Sequence, residues 1–281
     1  PILVDGQAIV ESKATADRYK FQRVYNNPQL YSAVTGYFTL NQGNTGVEGA
    51  LNNYLSGTAN DQFLAKVNSI LTGQTPKGGS VSLTIVPKVQ QAAWDALGNN
   101  SGAVVAINPR TGAILAMVSK AAYDPNLLAS HNSNDVISAY KKLLADPTRP
   151  LINRAITGDL YHPGSVFKLM TTSAAIDSGK YVPTDTFPNP SSLTLTGTST
   201  PISNAEGGSC GGGATVSIAD ALRLSCNIPM AQLGAALGGD LIKKYATAYG
   251  YGQKLSIPMT VTPSTYNIGD TAQVQLSAFG Q

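Results

Sequence analysis

With 281 residues, 42% hydrophobic and only 12% charged, the chain has material for one large domain or two smaller ones and is not composed like a disordered segment. A net charge of +3, with no basic cluster beyond Lys141-Lys142 and Lys243-Lys244, excludes a nucleic-acid footprint. No apolar run is long enough to span a bilayer, and no Cys/His group has metal-ligand spacing, so His131 and His162 read as surface or loop residues.

In chain order, Ile2-Leu3-Val4 and Gln7-Ala8-Ile9-Val10 read as strands joined by an Asp5-Gly6 hairpin turn. Gly46 to Ser56 reads as a helix stopped by Gly57; it carries Glu48, which has no partner carboxylate nearby in sequence and so favours a structural role. A loop rich in Gly, Thr and Pro, Thr72 to Ser80, closes this first region. Val81, Leu83 and Ile85 then alternate as a strand that leads into a helix through Val89, Ala93, Trp94 and Leu97, with Trp94 as a core residue. Ala103–Ile107 and Ala113–Val118, around a turn containing Pro109 and Gly112, form a hairpin whose continuous apolarity predicts cover on both faces. A polar loop, Ser119 to Pro150, follows.

Tyr161-His162-Pro163-Gly164-Ser165-Val166-Phe167-Lys168 reads as a turn entering a helix that ends at Gly179. That helix is apolar nearly all round and is expected to be buried, with Ser165 at its N-terminus and Lys168 one turn on along the same face. Desolvation and the positive end of the helix dipole both favour a neutral lysine, and a neutral amine beside a hydroxyl is a base beside a nucleophile. On the residues alone, a capping serine with a solvated lysine stands equally open, and a second copy, Ser138-Ala139-Tyr140-Lys141, reads as an ordinary helix face. The stretch rich in Pro, Ser, Thr and Gly up to Gly213 lacks the ending of a phosphate loop and reads as a flexible connector, with Glu206 solvated. Ser217 caps a helix with Asp220 at its third position, and that helix delivers Ser225-Cys226-Asn227 to a loop. Pro229 restarts a helix up to Gly238-Gly239, and helical signals resume from Leu241 to Tyr249.

Pro-Gly-Ser-x-x-Lys followed, 60 positions beyond Ser165, by Ser-x-Asn resembles the penicillin-binding proteins and serine β-lactamases. Gly102 to Ser119, Tyr123-Asp124-Pro125-Asn126 and Asn153-Arg154-Ala155 are similar to class B penicillin-binding proteins; the likeness is strong over 81–281 and weak over the first region. It implies a mixed α/β (α+β) fold: a transpeptidase domain over 81–281, an antiparallel sheet flanked by helices, with a smaller non-catalytic pedestal or dimerisation-like domain over 1–80. It also implies a D,D-transpeptidase that cross-links peptidoglycan stem peptides on the extracytoplasmic face of the cell membrane, held by an anchor upstream of Pro1. Ser165 would be the nucleophile, Lys168 its base, Ser225 a proton relay and Asn227 a holder of substrate and Lys168; β-lactams would trap the same serine. The backbone N–H of Ser165 would give half an oxyanion hole. No metal or cofactor is implied, and cell-division or cell-wall synthesis proteins are the expected protein partners.

The sequence departs from the family in having no Lys-Thr-Gly, and it stops at Ala278-Phe279-Gly280-Gln281, so the expectation is a chain cut short before that strand. Ala121 stands where the family often has proline. No glutamate follows Glu206, which disfavours a β-lactamase-type deacylating water. In an exported protein Cys210 and Cys226 have two alternatives, a disulfide or two thiols, and the export context favours the disulfide. The remaining functional alternatives are a penicillin-binding sensor or division scaffold without turnover, and a D,D-carboxypeptidase or β-lactamase-like hydrolase.

Overall fold

The structure, a computed structural model, describes residues 1–59 and 78–281, so residues 72–77 of the expected connector lie outside the described residues. Two compact units emerge: residues 1–159 with 256–262, and residues 160–255 with 263–281.

In the first unit, β1 (Ile2–Val4), β2 (Gln7–Ala14), β3 (Phe21–Tyr25) and β4 (Val81–Leu83) form a sheet ordered β3-β2-β1-β4. The Asp5-Gly6 hairpin forms as the turn signal predicts, with both residues at positive φ; β2 pairs antiparallel with β1 and β3, and β4 pairs parallel with β1. Helices α1 (Pro28–Thr35), α2 (Gly46–Ala50) and α3 (Asn52–Leu55) follow; the single helix expected from Gly46 is broken at Leu51 and ends at Leu55, just before Gly57, which adopts φ +77. Glu48 is structural: it is 2% exposed, and its Oε1 accepts from Arg23 Nε at 2.8 Å and from the Tyr25 hydroxyl at 3.2 Å. Burial pushes the Glu48 carboxyl up, and the Arg23 guanidinium opposes that shift.

Helix α4 (Pro87–Leu97) packs on the hairpin of β5 (Gly102–Ile107) and β6 (Ile114–Lys120). Gln90, fully buried, donates to Leu30 O and Met117 O and accepts from Met117 N, so one side chain stitches α1, α4 and β6 together. Trp94 is half-buried rather than fully core; its ring lies 4.0 Å from Lys120 Nζ, which also donates to the carbonyls of Trp94 and Gly98 at the end of α4. Both faces of the hairpin were expected to be covered, but Val105 and Ile107 of β5 are exposed, because the alternate residues of β5 have no layer over them among the described residues. The polar loop expected over 119–150 contains a helix, α5 (Ser133–Ala145), capped by Asn132 and half-exposed, which is why its composition reads as polar. The second Ser-x-x-Lys lies on that helix, as an ordinary face. Asn126 bonds both backbone groups of Tyr25 through its side-chain amide, and Asp124 caps the turn before it, so Tyr-Asp-Pro-Asn is a strap onto β3.

The second unit is built around α6 (Lys168–Asp177), α7 (Ile218–Arg223), α8 (Asn227–Leu237), α9 (Gly239–Ala248) and α10 (Thr271–Ser277), the last having no counterpart among the sequence-based elements. The helix buried nearly all round is α8, not α6: Ile228, Met230, Ala231 and Leu233 are at most 1% exposed, whereas Val166, Leu169 and Ile176 are exposed along the α6 segment. Gly234 lets α8 and α10 cross closely, since a Cβ there would overlap the Ala278 side chain, and Thr171 Oγ1 ties α6 to Ala278 O at 2.8 Å.

The stretch after Gly179, expected to be a flexible connector, is instead ordered. It forms β7 (Thr186–Pro188), β8 (Leu193–Thr194), β9 (Pro201–Ile202) and β10 (Thr215–Ser217), paired β7–β10 and β8–β9. Long-range polar bonds replace the hydrophobic pattern that sequence reading relies on: Asn189 Nδ2 donates to Cys210 O and Gly213 O, and Cys210 N donates back to Asn189 Oδ1. Cys210 and Cys226 are joined by a disulfide with Cα atoms 5.8 Å apart. Closing a loop of this length restricts the unfolded chain by about 3 kcal/mol. Cys210→Ser with Cys226→Ser is therefore expected to lower unfolding stability by about 3 kcal/mol in denaturant titration, and an unchanged midpoint would reject that contribution.

Candidate active site

Ser165 does not sit in the α-helix itself but in a 3-10 turn, Gly164–Phe167, that runs straight into α6. The difference matters geometrically. Side chains at i and i+3 eclipse in a 3-10 turn, whereas in an α-helix they are offset. Ser165 Oγ and Lys168 Nζ are thereby superposed at 3.1 Å. Phe167, 2% exposed, pins the turn by stacking on Tyr266 and meeting Tyr251 edge-on, both with centroids 5.5 Å apart.

Gly164 enters the turn at φ +63, and its N–H donates to Gly280 O at 3.0 Å. Gly280 itself adopts φ +92, and a Cβ on it would overlap the carbonyl of Gly164. Gly280→Ala is therefore expected to displace the turn that carries Ser165, costing about 1–3 kcal/mol in unfolding stability. A wild-type unfolding midpoint in that variant would reject the coupling.

The Ser-x-Asn segment arrives at the junction of α7 and α8. Ser217 caps α7 as expected: its Oγ accepts from Asp220 N and donates to Asp220 Oδ2, both at 3.0 Å. After α7 the chain turns at Ser225, which adopts φ +58, a left-handed conformation that costs a non-glycine residue about 1 kcal/mol or more. That turn aims both oxygens of Ser225 inward: Lys168 Nζ lies 2.6 Å from Ser225 O and 3.1 Å from Ser225 Oγ. Asn227, the first residue of α8, brings Oδ1 to 2.8 Å from the same nitrogen. The structure thus unites all four residues singled out from the sequence, Ser165, Lys168, Ser225 and Asn227, around one amine.

Lys168 is 1% exposed and takes part in none of the ion pairs among the described residues. Burial alone pulls it from the ordinary lysine value of 10.5 down to about 8. Its four oxygen neighbours decide how the neutral form is oriented. Ser225 O and Asn227 Oδ1 can only accept, so they take the two N–H groups of a neutral amine. The remaining lone pair faces the hydroxyls of Ser165 and Ser225, either of which can donate to it. Both serines are exposed, so a ligand can reach the hydroxyls from solvent while the amine stays dry.

Two site features carried no sequence signal. Gly280 bonds the turn that carries Ser165 from far along the chain, and Asn204, in the stretch read as a connector, bonds the start of α8. Glu206 is exposed, as expected, and His162 is exposed as well. No group of three His, Cys, Asp or Glu residues capable of holding a metal ion is found among the described residues.

Residues 102–280 match the penicillin-binding protein transpeptidase domain, and residues 1–81 match the penicillin-binding protein A dimerisation domain. The chain is 42% identical, over its whole length, to the peptidoglycan D,D-transpeptidase PbpA of Mycolicibacterium smegmatis and 40% identical to that of Mycobacterium tuberculosis. It spans 58% of the length of these curated relatives. It superposes on the crystal structure of PBPA from M. tuberculosis with a TM-score of 0.93 at 39% identity, covering 100% of this chain and 65% of that one. A penicillin G acyl-enzyme complex of that M. tuberculosis protein gives the same TM-score of 0.93, with 66% of that chain covered. A serine and a buried lysine eclipsed on one turn, a Ser-x-Asn closing over the same amine, and this likeness along the whole length lead to one conclusion: the chain belongs to the penicillin-binding protein transpeptidase family.

Proposed function

We propose that this chain carries the acylation machinery of a peptidoglycan D,D-transpeptidase, with Ser165 as nucleophile and Lys168 as its base. The observation that carries this reading is a buried amine, outside every ion pair among the described residues, within 3.1 Å of two exposed serine hydroxyls. Ser165 Oγ attacks the carbonyl of the penultimate D-Ala of a stem peptide as its proton passes to Lys168. Ser225 relays that proton to the departing amine, so the C–N bond breaks and D-Ala leaves. An amine of a neighbouring strand then attacks the ester, and Ser165 recovers its proton. Asn227 holds Lys168 by hydrogen bond and orients the substrate amide. The Ser165 N–H supplies one donor to the developing oxyanion. A β-lactam, whose strained amide mimics the scissile bond, acylates the same oxygen and stays.

Residues 1–80 would be the non-catalytic, pedestal or dimerisation-like part and 81–281 the catalytic part, a division supported by the family models over 1–81 and 102–280. The disulfide supports an extracytoplasmic location, since such bonds persist outside the reducing cytosol. Among the described residues no helix is long and apolar enough to cross a membrane. Stem peptides and β-lactams are the proposed ligands, and proteins of cell-wall synthesis or division are the proposed partners. The test is to incubate the intact protein with a fluorescent penicillin, map the adduct by mass spectrometry, and follow release of D-Ala with and without an acceptor amine. An adduct on Ser165 with cross-linked product supports the reading. Adduct without turnover would make the protein a sensor or scaffold, and product only from water attack would make it a hydrolase.

A further inference from the structure

Helix α8 has an unusual first turn. Its cap residue, Cys226, makes no capping side-chain hydrogen bond, and its sulfur is committed to Cys210. The cap comes instead from 23 residues upstream. Asn204, 5% exposed, accepts at one oxygen from Asn227 N at 2.9 Å and Ile228 N at 3.1 Å, the first two donors of the helix. Its amide nitrogen donates to Gly208 O at 3.0 Å, which fixes which end of the side chain faces the helix. The residue before it completes the hold, because Asn227 Nδ2 donates to Ser203 O at 3.1 Å. Asn227 is thus gripped by its backbone N–H and by one side-chain N–H at once, which points Oδ1 at Lys168 and leaves the second side-chain N–H for a ligand.

We infer that Asn204 is a positioning residue of the acylation machinery: as a remote cap of α8 it fixes Asn227, and through Asn227 the direction of the Lys168 lone pair. The inference rests on the function proposed above and deepens it. Asn204 bonds none of the reacting atoms, so its loss acts on the chemical step rather than on ligand capture. The same clamp ties neighbouring Ser203 to α8, so losing it loosens the Ser203 O hold on Asn227 Nδ2; an amide that then turns its NH2 toward Lys168 competes for the lone pair that the serine proton needs.

The experiment measures acylation of the intact protein by a fluorescent penicillin, separating the limiting acylation rate from the half-saturating concentration, on the alkaline plateau where Lys168 is neutral. Asn204→Leu, close in size and without polar atoms, is expected to lower the limiting rate by about tenfold to a hundredfold with the half-saturating concentration little changed. Asn204→Asp keeps an acceptor for both helix N–H groups and is expected to restore most of that rate. Ile242→Val, which removes a methylene from a fully buried site on α9, serves as a stability control and is expected to leave the rate unchanged. If Asn204→Leu does not fold, Asn204→Ser, whose hydroxyl is too short to meet both donors, is expected to lose at least about fivefold in rate. A wild-type limiting rate in Asn204→Leu, or in Asn204→Ser, would overturn the inference while wild-type labelling at Ser165 left the proposed function standing. Equal losses in Asn204→Leu and Ile242→Val would overturn it too, as would an Asn204→Asp no faster than Asn204→Leu.

Discussion

Ser165→Ala in the intact protein is expected to abolish the covalent penicillin adduct and leave the fold almost untouched. The two halves of that expectation come from the same geometry. Ser165 is exposed, and its hydroxyl meets Lys168 Nζ, which keeps Ser225 O, Ser225 Oγ and Asn227 Oδ1, so removing it leaves no buried group stranded and costs no more than about 1 kcal/mol. Alanine also accepts the backbone of the turn, since the positive φ falls on Gly164 and not on Ser165. The chemistry has no such tolerance. Without an oxygen there is no ester, and nucleophile deletions in acyl-transfer enzymes cost on the order of 10⁴-fold or more. Intact-mass measurement after incubation with a penicillin checks the result. An adduct persisting on Ser165→Ala, on Ser225 or anywhere else, would defeat the nucleophile assignment.

The second large effect concerns the protonation of Lys168. Its pull from 10.5 to about 8 raises the neutral fraction at pH 7 by on the order of 300-fold, to roughly a tenth of the molecules. The acylation rate should therefore climb about tenfold from pH 7 to pH 9 and then level, with a midpoint near 8. Lys168→Arg keeps a cation that cannot release its proton, and a loss of about 10³–10⁴-fold across this range is expected. A pH profile that is flat from 6 to 9, or an arginine variant near wild-type activity, would remove Lys168 from the base role. The same burial has a consequence for stability. The folded chain holds this proton less tightly than the unfolded chain, so between about pH 8 and 10.5 unfolding takes up a proton. Stability from this group accordingly rises with pH across that window, by about 3 kcal/mol in all, and is lowest below it. Desolvating the amine costs stability that the packing of the surrounding helices offsets.

Much of the proposed catalytic centre is written locally. Gly164, Ser165 and Lys168 lie within five residues, and one turn of backbone is enough to bring the hydroxyl and the amine together. The capping pattern of Ser217 and Asp220 likewise needs only the four residues it occupies, and it places the exit of α7 where Ser225 begins. Apolar composition predicts a helix buried nearly all round after Ser165, and the structure buries that helix on one side only. Enclosure depends on what packs against each face, and α8 lies in the middle of its unit while α6 leaves Leu169 and Ile176 exposed. Polarity hid α5 for the opposite reason, since a helix on the surface buries only Val136 fully.

The sequence by itself determined which groups meet locally: a serine and a lysine three apart after Pro-Gly put a hydroxyl and an amine on one turn, and with the Ser-x-Asn further on they carry the resemblance to an acyl-transfer family. Only the tertiary structure decided that Lys168 is dry, that Ser225 turns both its oxygens inward, that Gly280 closes on Gly164 and that Asn204 caps a helix 23 residues away. Desolvation and remote hydrogen bonds are sums over atoms brought together from distant parts of the chain, and no window of neighbouring residues contains them.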